Sequence, residues 1–228
     1  MQHLAIIPDG NRRWAKKNKL ESIFGHQRGM ETIQGALKVC LKRGIRYVSF
    51  YTFSLENFNR SELEKRYLFN LLKNSFMKQL PELIEQGIRV CFIGDRSRFP
   101  EEIRHTAALA EEQTKHLNKL QLNLLFCYGG QAEILEAARA LAQKVKTGVL
   151  DPEHINESML RDSLWTGNIP DPDLVIRTGN TVRTSNFLPF QTAYSEWLFL
   201  DKFWPEMTEE IIDGCVHDFV NIKRNFGK

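Results

Sequence analysis

Near its start the chain runs Leu4-Ala5-Ile6-Ile7-Pro8-Asp9-Gly10-Asn11-Arg12-Arg13-Trp14, an apolar stretch that breaks into a carboxylate, a glycine and two arginines. The apolar part is too short to span a membrane and reads as a buried strand. Asp9 then stands where the strand ends, and Gly10-Asn11 offers a turn that opens into a helix near Arg12. Open α/β sheets bind ligands at the carboxyl ends of their strands. A helix N-terminus there turns free backbone N–H groups toward an anion, and two guanidiniums add charge-assisted, often bidentate contacts. A single carboxylate beside such a cradle suits Mg²⁺, which takes one or two protein oxygens and shares the phosphates of a substrate. The segment predicts a metal-assisted site for a phosphorylated ligand.

Two further clusters are of the same kind. Phe53-Ser54-Leu55-Glu56-Asn57-Phe58-Asn59-Arg60 follows a second apolar run and gathers hydrogen-bonding groups at another strand end. Taken alone it is an ordinary turn, because Asn and Ser are common loop residues. In Asp173-Leu174-Val175-Ile176-Arg177-Thr178-Gly179 an arginine ends a strand, and Arg183 and Ser185 lie on the loop beyond it. Two arginines and a hydroxyl at one strand end suit a diphosphate, although exposed loop arginines are usually just solvated. Glu196 is a lone carboxylate entering an apolar run, either a surface group or a metal ligand. His26, in Phe24-Gly25-His26, either caps the following helix or donates to a phosphate and handles a proton near neutral pH.

These groups need a scaffold, and the pattern supplies one. Apolar runs near residues 3–8, 46–53, 88–93, 120–127, 173–177 and 197–200 alternate with helical patterns near 27–43, 61–85, 100–117, 130–146 and 208–223. This is the signature of an α/β domain with a mostly parallel sheet of about six strands flanked by helices. With 228 residues and no linker, repeat or low-complexity tract, the chain reads as a single domain, 1–228, that buries roughly 70–75% of its unfolded surface. Ser61-Glu62-Leu63-Glu64 has capping-box spacing. After it Leu63, Tyr67, Leu68, Leu71, Leu72, Phe76, Leu80, Leu83 and Ile84 recur at helical spacing, either as a core face or as the wall of a hydrocarbon cavity.

The net charge of +3 and the lack of any Lys/Arg block give no support to nucleic-acid binding. The four cysteines have neither metal-ligand spacing nor disulfide density. With no signal peptide and no apolar run of about 18 residues, the expected location is cytoplasmic. P-loop, dinucleotide-binding, G-x-S-x-G and Asp-Asp-x-x-Asp motifs are missing.

Taken together, the stretches 3–14, Phe24-Gly25-His26, 53–60, Ile93-Gly94-Asp95, Tyr128-Gly129-Gly130 and 173–179 through Trp197 resemble, in order and spacing, the cis-prenyltransferase family. The resemblance implies a homodimeric enzyme that adds isopentenyl diphosphate units in cis geometry to farnesyl diphosphate, giving a long polyprenyl diphosphate for the cell-wall lipid carrier. It implies Asp9 as Mg²⁺ ligand and central catalytic residue. Gly10, Asn11, Arg12 and Arg13 would cradle the allylic diphosphate, with Trp14 and His26 beside it. Ser54 and Asn57 would lie near the reacting carbons, Asn57 as a second catalytic residue, with Leu55, Glu56, Phe58 and Arg60 around them. Arg177, Arg183, Thr184 and Ser185 would bind isopentenyl diphosphate, and Glu196 would join the metal site.

The stripe after Ser61, with part of the helix near 27–43, would wall an elongated apolar tunnel. A transient contact with a membrane surface, at the inner face of the membrane, would release the product. The chain departs from the family where Arg12 replaces a frequent glycine, Ser22 a frequent arginine, and Asn180-Thr181-Val182 a frequent Gly-Glu-His. The last change removes a metal-ligating histidine and places more weight on Asp9 and Glu196. Two other readings stand beside this one: a non-catalytic scaffold subunit of the same fold, and a phosphate-ester hydrolase.

Overall fold

Six short strands rich in Ile, Leu, Val and Phe pair in parallel, which requires long crossover connections, all helical except the last, and buries both sheet faces. A computed structural model describes residues 1–221 of the chain. The strands are β1 (His3–Ile7), β2 (Tyr47–Ser54), β3 (Ile88–Ile93), β4 (Leu120–Tyr128), β5 (Leu174–Arg177) and β6 (Glu196–Phe199), in the order β3-β4-β2-β1-β5-β6. β1 therefore lies near the middle, with β2 on one side and β5 on the other. All five pairings are parallel, so every strand ends at the same edge of the sheet.

The helices are α1 (Asn11–Lys17), α2 (Ser22–Lys42), α3 (Glu62–Glu85), α4 (Glu101–Thr114), α5 (Gly130–Lys146), α6 (Glu157–Ser163) and α7 (Glu209–Val220). The predicted helix end at 223 lies outside the described residues. Residues from α2, α3, α4 and α7 pack with Leu4, Ile6, Val48, Phe50 and Phe126 into one large cluster. On the other face a smaller cluster joins Ala5, Ile7, Leu125, Tyr128, Val175 and Phe187, with Trp165 and Trp197 against it.

Three expectations are corrected. α2 begins at Ser22 rather than near 27, and Gly25 and Gly29 within it are points of close contact: a Cβ on Gly25 would meet the Asn11 carbonyl, and one on Gly29 the Asn11 side chain. His26 consequently sits inside the helix and caps nothing. The helix α6 was not anticipated; Asn156 caps it by accepting from Met159 N–H. In α3 the buried residues are Phe69, Leu72, Phe76, Leu80 and Leu83, whereas Leu63 is 81% exposed. The inward face thus starts with Phe69, outside the predicted stripe.

Candidate active site

The site begins with a turn that only glycine makes easily. Gly10 has φ +102°, in the region disfavoured for residues with a Cβ, and a Cβ there would also strike the Phe203 ring. The turn leaves Asp9 at the end of β1 and starts α1, so Arg13 reaches back one helical turn. Its Nη2 donates to Asp9 Oδ1 at 3.1 Å. From the neighbouring strand Arg177 Nη2 donates to Asp9 Oδ2 at 3.0 Å. Gly179 completes the junction, since a Cβ on it would collide with the Arg13 guanidinium.

Arg177 is 3% exposed, and a buried cation must be paired. Besides Asp9 it donates through Nη1 to Ser185 Oγ at 2.7 Å and to the Arg183 carbonyl. Its Nε is buried without a protein partner among the described residues. A guanidinium has five donors in a planar fork, so Arg177 is anchored on one side and still able to bind on the other.

A cleft of about 590 Å³ opens over these groups, lined by Asp9, Asn11, His26, Tyr51, Ser54, Glu56, Asn57, Arg60, Arg177, Arg183, Ser185 and Asn186, among others. Beside it a basic recess of about 220 Å³ is lined by Asp9, Gly10, Asn11, Arg12, Arg13, His26 and Arg60. Burial, together with the nearby Arg60 and Arg12, lowers His26 from 6.5 to about 4, so the ring is neutral at physiological pH. Its Nε2 is buried without a partner among the described residues. Burial also lowers Arg60, with Glu64 opposing and Arg12 adding to the shift. Glu64 bridges these two cations, 3.2 Å from Arg60 and 3.6 Å from Arg12. Glu56 is held below its usual value: burial pushes it up, but hydrogen bonds, chiefly from Asn186, outweigh that.

Asn57 belongs to a 3-10 turn, Leu55–Asn59, where its Oδ1 accepts from the Ser54 backbone N–H at 3.2 Å. Its carbonyl oxygen is thus engaged by the protein, and the residue lines the cleft. Several predicted residues lie elsewhere. Phe58 packs edge-on to Phe53 at 5.2 Å and faces the core, as does Leu55. Trp14 is half-buried on α1, and exposed Thr184 uses its carbonyl to accept from Phe187 N–H; neither lines the cleft or the basic recess.

Glu196 starts β6 beside Leu174. It lies three strand residues, roughly 10 Å, short of the level of Arg177, so within the chain the parallel register keeps it away from Asp9.

Sequence reasoning missed Asn186 and Glu133. Asn186 takes a left-handed conformation, φ +63°. It donates to Glu56 at 2.9 Å and accepts from Gln131 N–H through its side chain. Asn tolerates that conformation, and its place in a short polar run after Arg183 was the available signal. Glu133 is fully buried and accepts from Tyr128 Oη, from Thr166 N–H and Oγ, and from Gln191 Nε2. It ties α5 to the loop that carries Ser185, and nothing in its local sequence marks it.

An apolar pocket of about 80 Å³ adjoins the cleft between α2 and α3, lined by Met30, Ile33, Leu68, Leu71, Leu72 and Phe126. Its volume equals that of about half a dozen waters, far short of the expected elongated tunnel. Beneath it Phe53, Phe69, Phe99 and Phe126 pack with ring centroids 5.1–5.7 Å apart. The stripe of α3 is chiefly a packing face in this structure.

The family model of undecaprenyl diphosphate synthases matches residues 7–227. The chain is a cis-prenyltransferase. An isoprenyl transferase of Streptococcus thermophilus (strain CNRZ 1066) is 41% identical over 229 residues, covering 99% of this chain and 92% of that protein. The ditrans,polycis-undecaprenyl-diphosphate synthase ((2E,6E)-farnesyl-diphosphate specific) of Micrococcus luteus is 39% identical over 226 residues, covering 99% and 91%. Among solved structures, lavandulyl diphosphate synthase from Lavandula x intermedia, in complex with dimethylallyl diphosphate, superposes with a TM-score of 0.96 at 33% identity over 100% of this chain and 98% of that one. The α/β architecture of this cis-prenyltransferase agrees with that likeness. No helix among the described residues is long and apolar enough to cross a membrane.

Proposed function

We propose that this cis-prenyltransferase condenses isopentenyl diphosphate with farnesyl diphosphate and repeats the step to build a long polyprenyl, undecaprenyl-type, diphosphate. The observation that carries this reading is the sharing of Asp9 between Arg13 and Arg177 at the meeting of two recesses, one basic and one apolar. The allylic diphosphate fits the recess formed by Gly10, Asn11, Arg12, Arg13, His26 and Arg60, with its hydrocarbon toward the pocket between α2 and α3. Isopentenyl diphosphate fits the side of Arg177, Arg183 and Ser185.

In the reaction the allylic C–O bond breaks and its electron pair leaves with the diphosphate. Arginines already aimed at that position stabilise the growing oxyanion charge without reorganising. The isopentenyl double bond attacks the allylic carbon, and a proton leaves to form the new alkene. Asn57 is a neutral amide and a poor proton acceptor; it orients substrate, and a diphosphate oxygen is the proton acceptor.

The donor set also bears on Mg²⁺. No group of three or more His, Cys, Asp or Glu able to hold a metal occurs among the described residues, which argues against an all-protein cage. Each Asp9 oxygen accepts one arginine N–H and keeps a lone pair, which fits a cation shared with substrate phosphates. Asp9 would hold it, and the ion would supply further neutralisation of the leaving diphosphate.

A homodimer is supported by β6, a sheet edge whose four residues are all half-buried, and by stacked Trp197 and Phe199 upon it. A cytoplasmic enzyme that meets the inner membrane face only to release product completes the reading. The test incubates purified protein with labelled isopentenyl diphosphate, farnesyl diphosphate and Mg²⁺ and sizes the extracted lipid. A ladder of polyprenyl products is expected; no lipid product overturns the assignment and favours the scaffold or hydrolase reading.

A further inference from the structure

We propose that the corner formed by the end of α1 and the N-termini of α2 and α3 docks on an anionic bilayer surface. Leu20, Ile23, Phe24 and Leu63 are 43%, 37%, 49% and 81% exposed there. They belong together: Tyr67 Oη donates to the Ile23 carbonyl at 3.3 Å, and Leu63 precedes Tyr67 by one turn on the same face of α3. Grouped exposed apolar side chains mark interaction sites, whereas scattered ones do not.

Charge identifies the occupant. Residues 11–28 carry six cations, Arg12, Arg13, Lys16, Lys17, Lys19 and Arg28, against one carboxylate, Glu21. Arg13 serves Asp9, Arg12 faces Glu64, Lys17 pairs with Glu206 and Arg28 with Glu31. Lys16 and Lys19 have no ion pair among the described residues. From α3, Glu62 faces the same solvent and pairs with Lys65.

α1 ends with Leu20 N–H bonded to the Ala15 carbonyl and Lys19 N–H to the Lys16 carbonyl, a Schellman closure whose left-handed residue is usually glycine. Here it is Lys19, at φ +57°. The strained turn puts a lysine at the tip and an exposed leucine directly after it. Exposed apolar side chains beside two lysines with no ion pair among the described residues suit the boundary of headgroups and acyl chains. A two-fold contact with a second copy would set this basic patch against itself, which disfavours that occupant.

The position also serves the reaction, and to that extent the inference rests on the proposed function. α2 and α3 both descend from the ligand-binding edge, and the apolar pocket lies between them. Tyr67 of α3 bonds to Ile23 of α2 near the N-terminal ends of both helices, so a hydrocarbon leaving between the helices at that end would emerge beside the docking patch.

The test is sedimentation of the full chain with vesicles of phosphatidylcholine plus phosphatidylglycerol, or of phosphatidylcholine alone, with circular dichroism as a check on folding. Binding to the mixed vesicles only, reversed by salt, is expected. L20S/F24S/L63S is expected to bind more than about tenfold more weakly, and K16E/K19E to lose the preference for anionic lipid. Equal binding by all three proteins, or none by the parent chain, overturns the proposal. A dimer that becomes monomeric in L20S/F24S/L63S also overturns it, because the patch is then the seat of a second copy. Condensation is assayed in parallel: vesicle binding without prenyl transfer defeats the proposed function alone, and prenyl transfer without vesicle binding defeats the docking alone.

Discussion

The cradle around Asp9 and the furrow between α2 and α3 lie against each other yet are built in opposite ways. In the cradle every main group is already placed: two strand ends, two strained or crowded glycines and three charges fix one arrangement. The furrow is nearly closed, with about 80 Å³ of space above a floor of phenylalanines. Charges must be fixed before they act, since preorganised dipoles are what lower the barrier. Hydrocarbon needs no aim, only room, and helices packed through side chains can yield that room by shifting. Substitutions should therefore cost activity in the cradle, but exchange stability for space in the furrow.

The largest effect is expected from Asp9→Ala, with condensation falling about a thousandfold or more while circular dichroism still reports a folded chain. Near-normal turnover would remove the cradle from the chemistry. Phe69→Ala attacks the furrow floor and should cost about 3 kcal/mol in denaturant unfolding while lengthening the lipid product. Unchanged stability together with unchanged product would erase the contrast between the two regions.

Arg177→Lys keeps the charge but loses the fork that spans Asp9 and Ser185. A 10–100-fold rise in KM for isopentenyl diphosphate is expected, matching about 1.5–3 kcal/mol, with little change for the allylic substrate.

A pH series probes two buried rings. His3, hydrogen-bonded to Ser49 and the Pro170 carbonyl, is lowered by burial from 6.5 to about 4, and His26 likewise. Between those values the unfolded chain binds protons that the folded chain does not. Stability should thus be full above about pH 6.5, fall as pH drops toward 4, and stop falling from this cause below it. Allylic diphosphate, by giving His26 a partner, should raise its value in an NMR titration. The smallest effect belongs to Arg12→Ala: its exposed contact with Glu64 is worth under about 0.5 kcal/mol, so a few-fold rise in KM for the allylic substrate without a change in melting is expected.

What was legible in the sequence follows the same division. Asp9, Arg13, Arg177 and Ser185 could be found because strand ends and glycine turns are local signals. Where Glu196 lies relative to Asp9 was not legible, because that depends on the register of β6 on β5, which no local pattern records. The start of helix α2 was not legible because Phe24-Gly25-His26 reads equally well as a cap, until Asn11 of α1 is seen pressed against Gly25. The apolar period of α3 marked a buried face but not its phase or its use: Leu63 points outward and Phe69 inward. Glu133 was invisible because its four donors come from three separate segments.

The pairing of β1 with β5 has a consequence in time as well as in space. Asp9 and Arg177 are separated by 168 positions, and Gln2 N–H bonds to Asp173 across 171. Closing such a long loop is entropically slow. On the ribosome the carboxylate is made early and waits for its guanidinium until the fifth strand has emerged. A partly synthesised chain therefore carries the groups of the basic recess but not the Arg177 side of the site, and competence for both diphosphates arrives late.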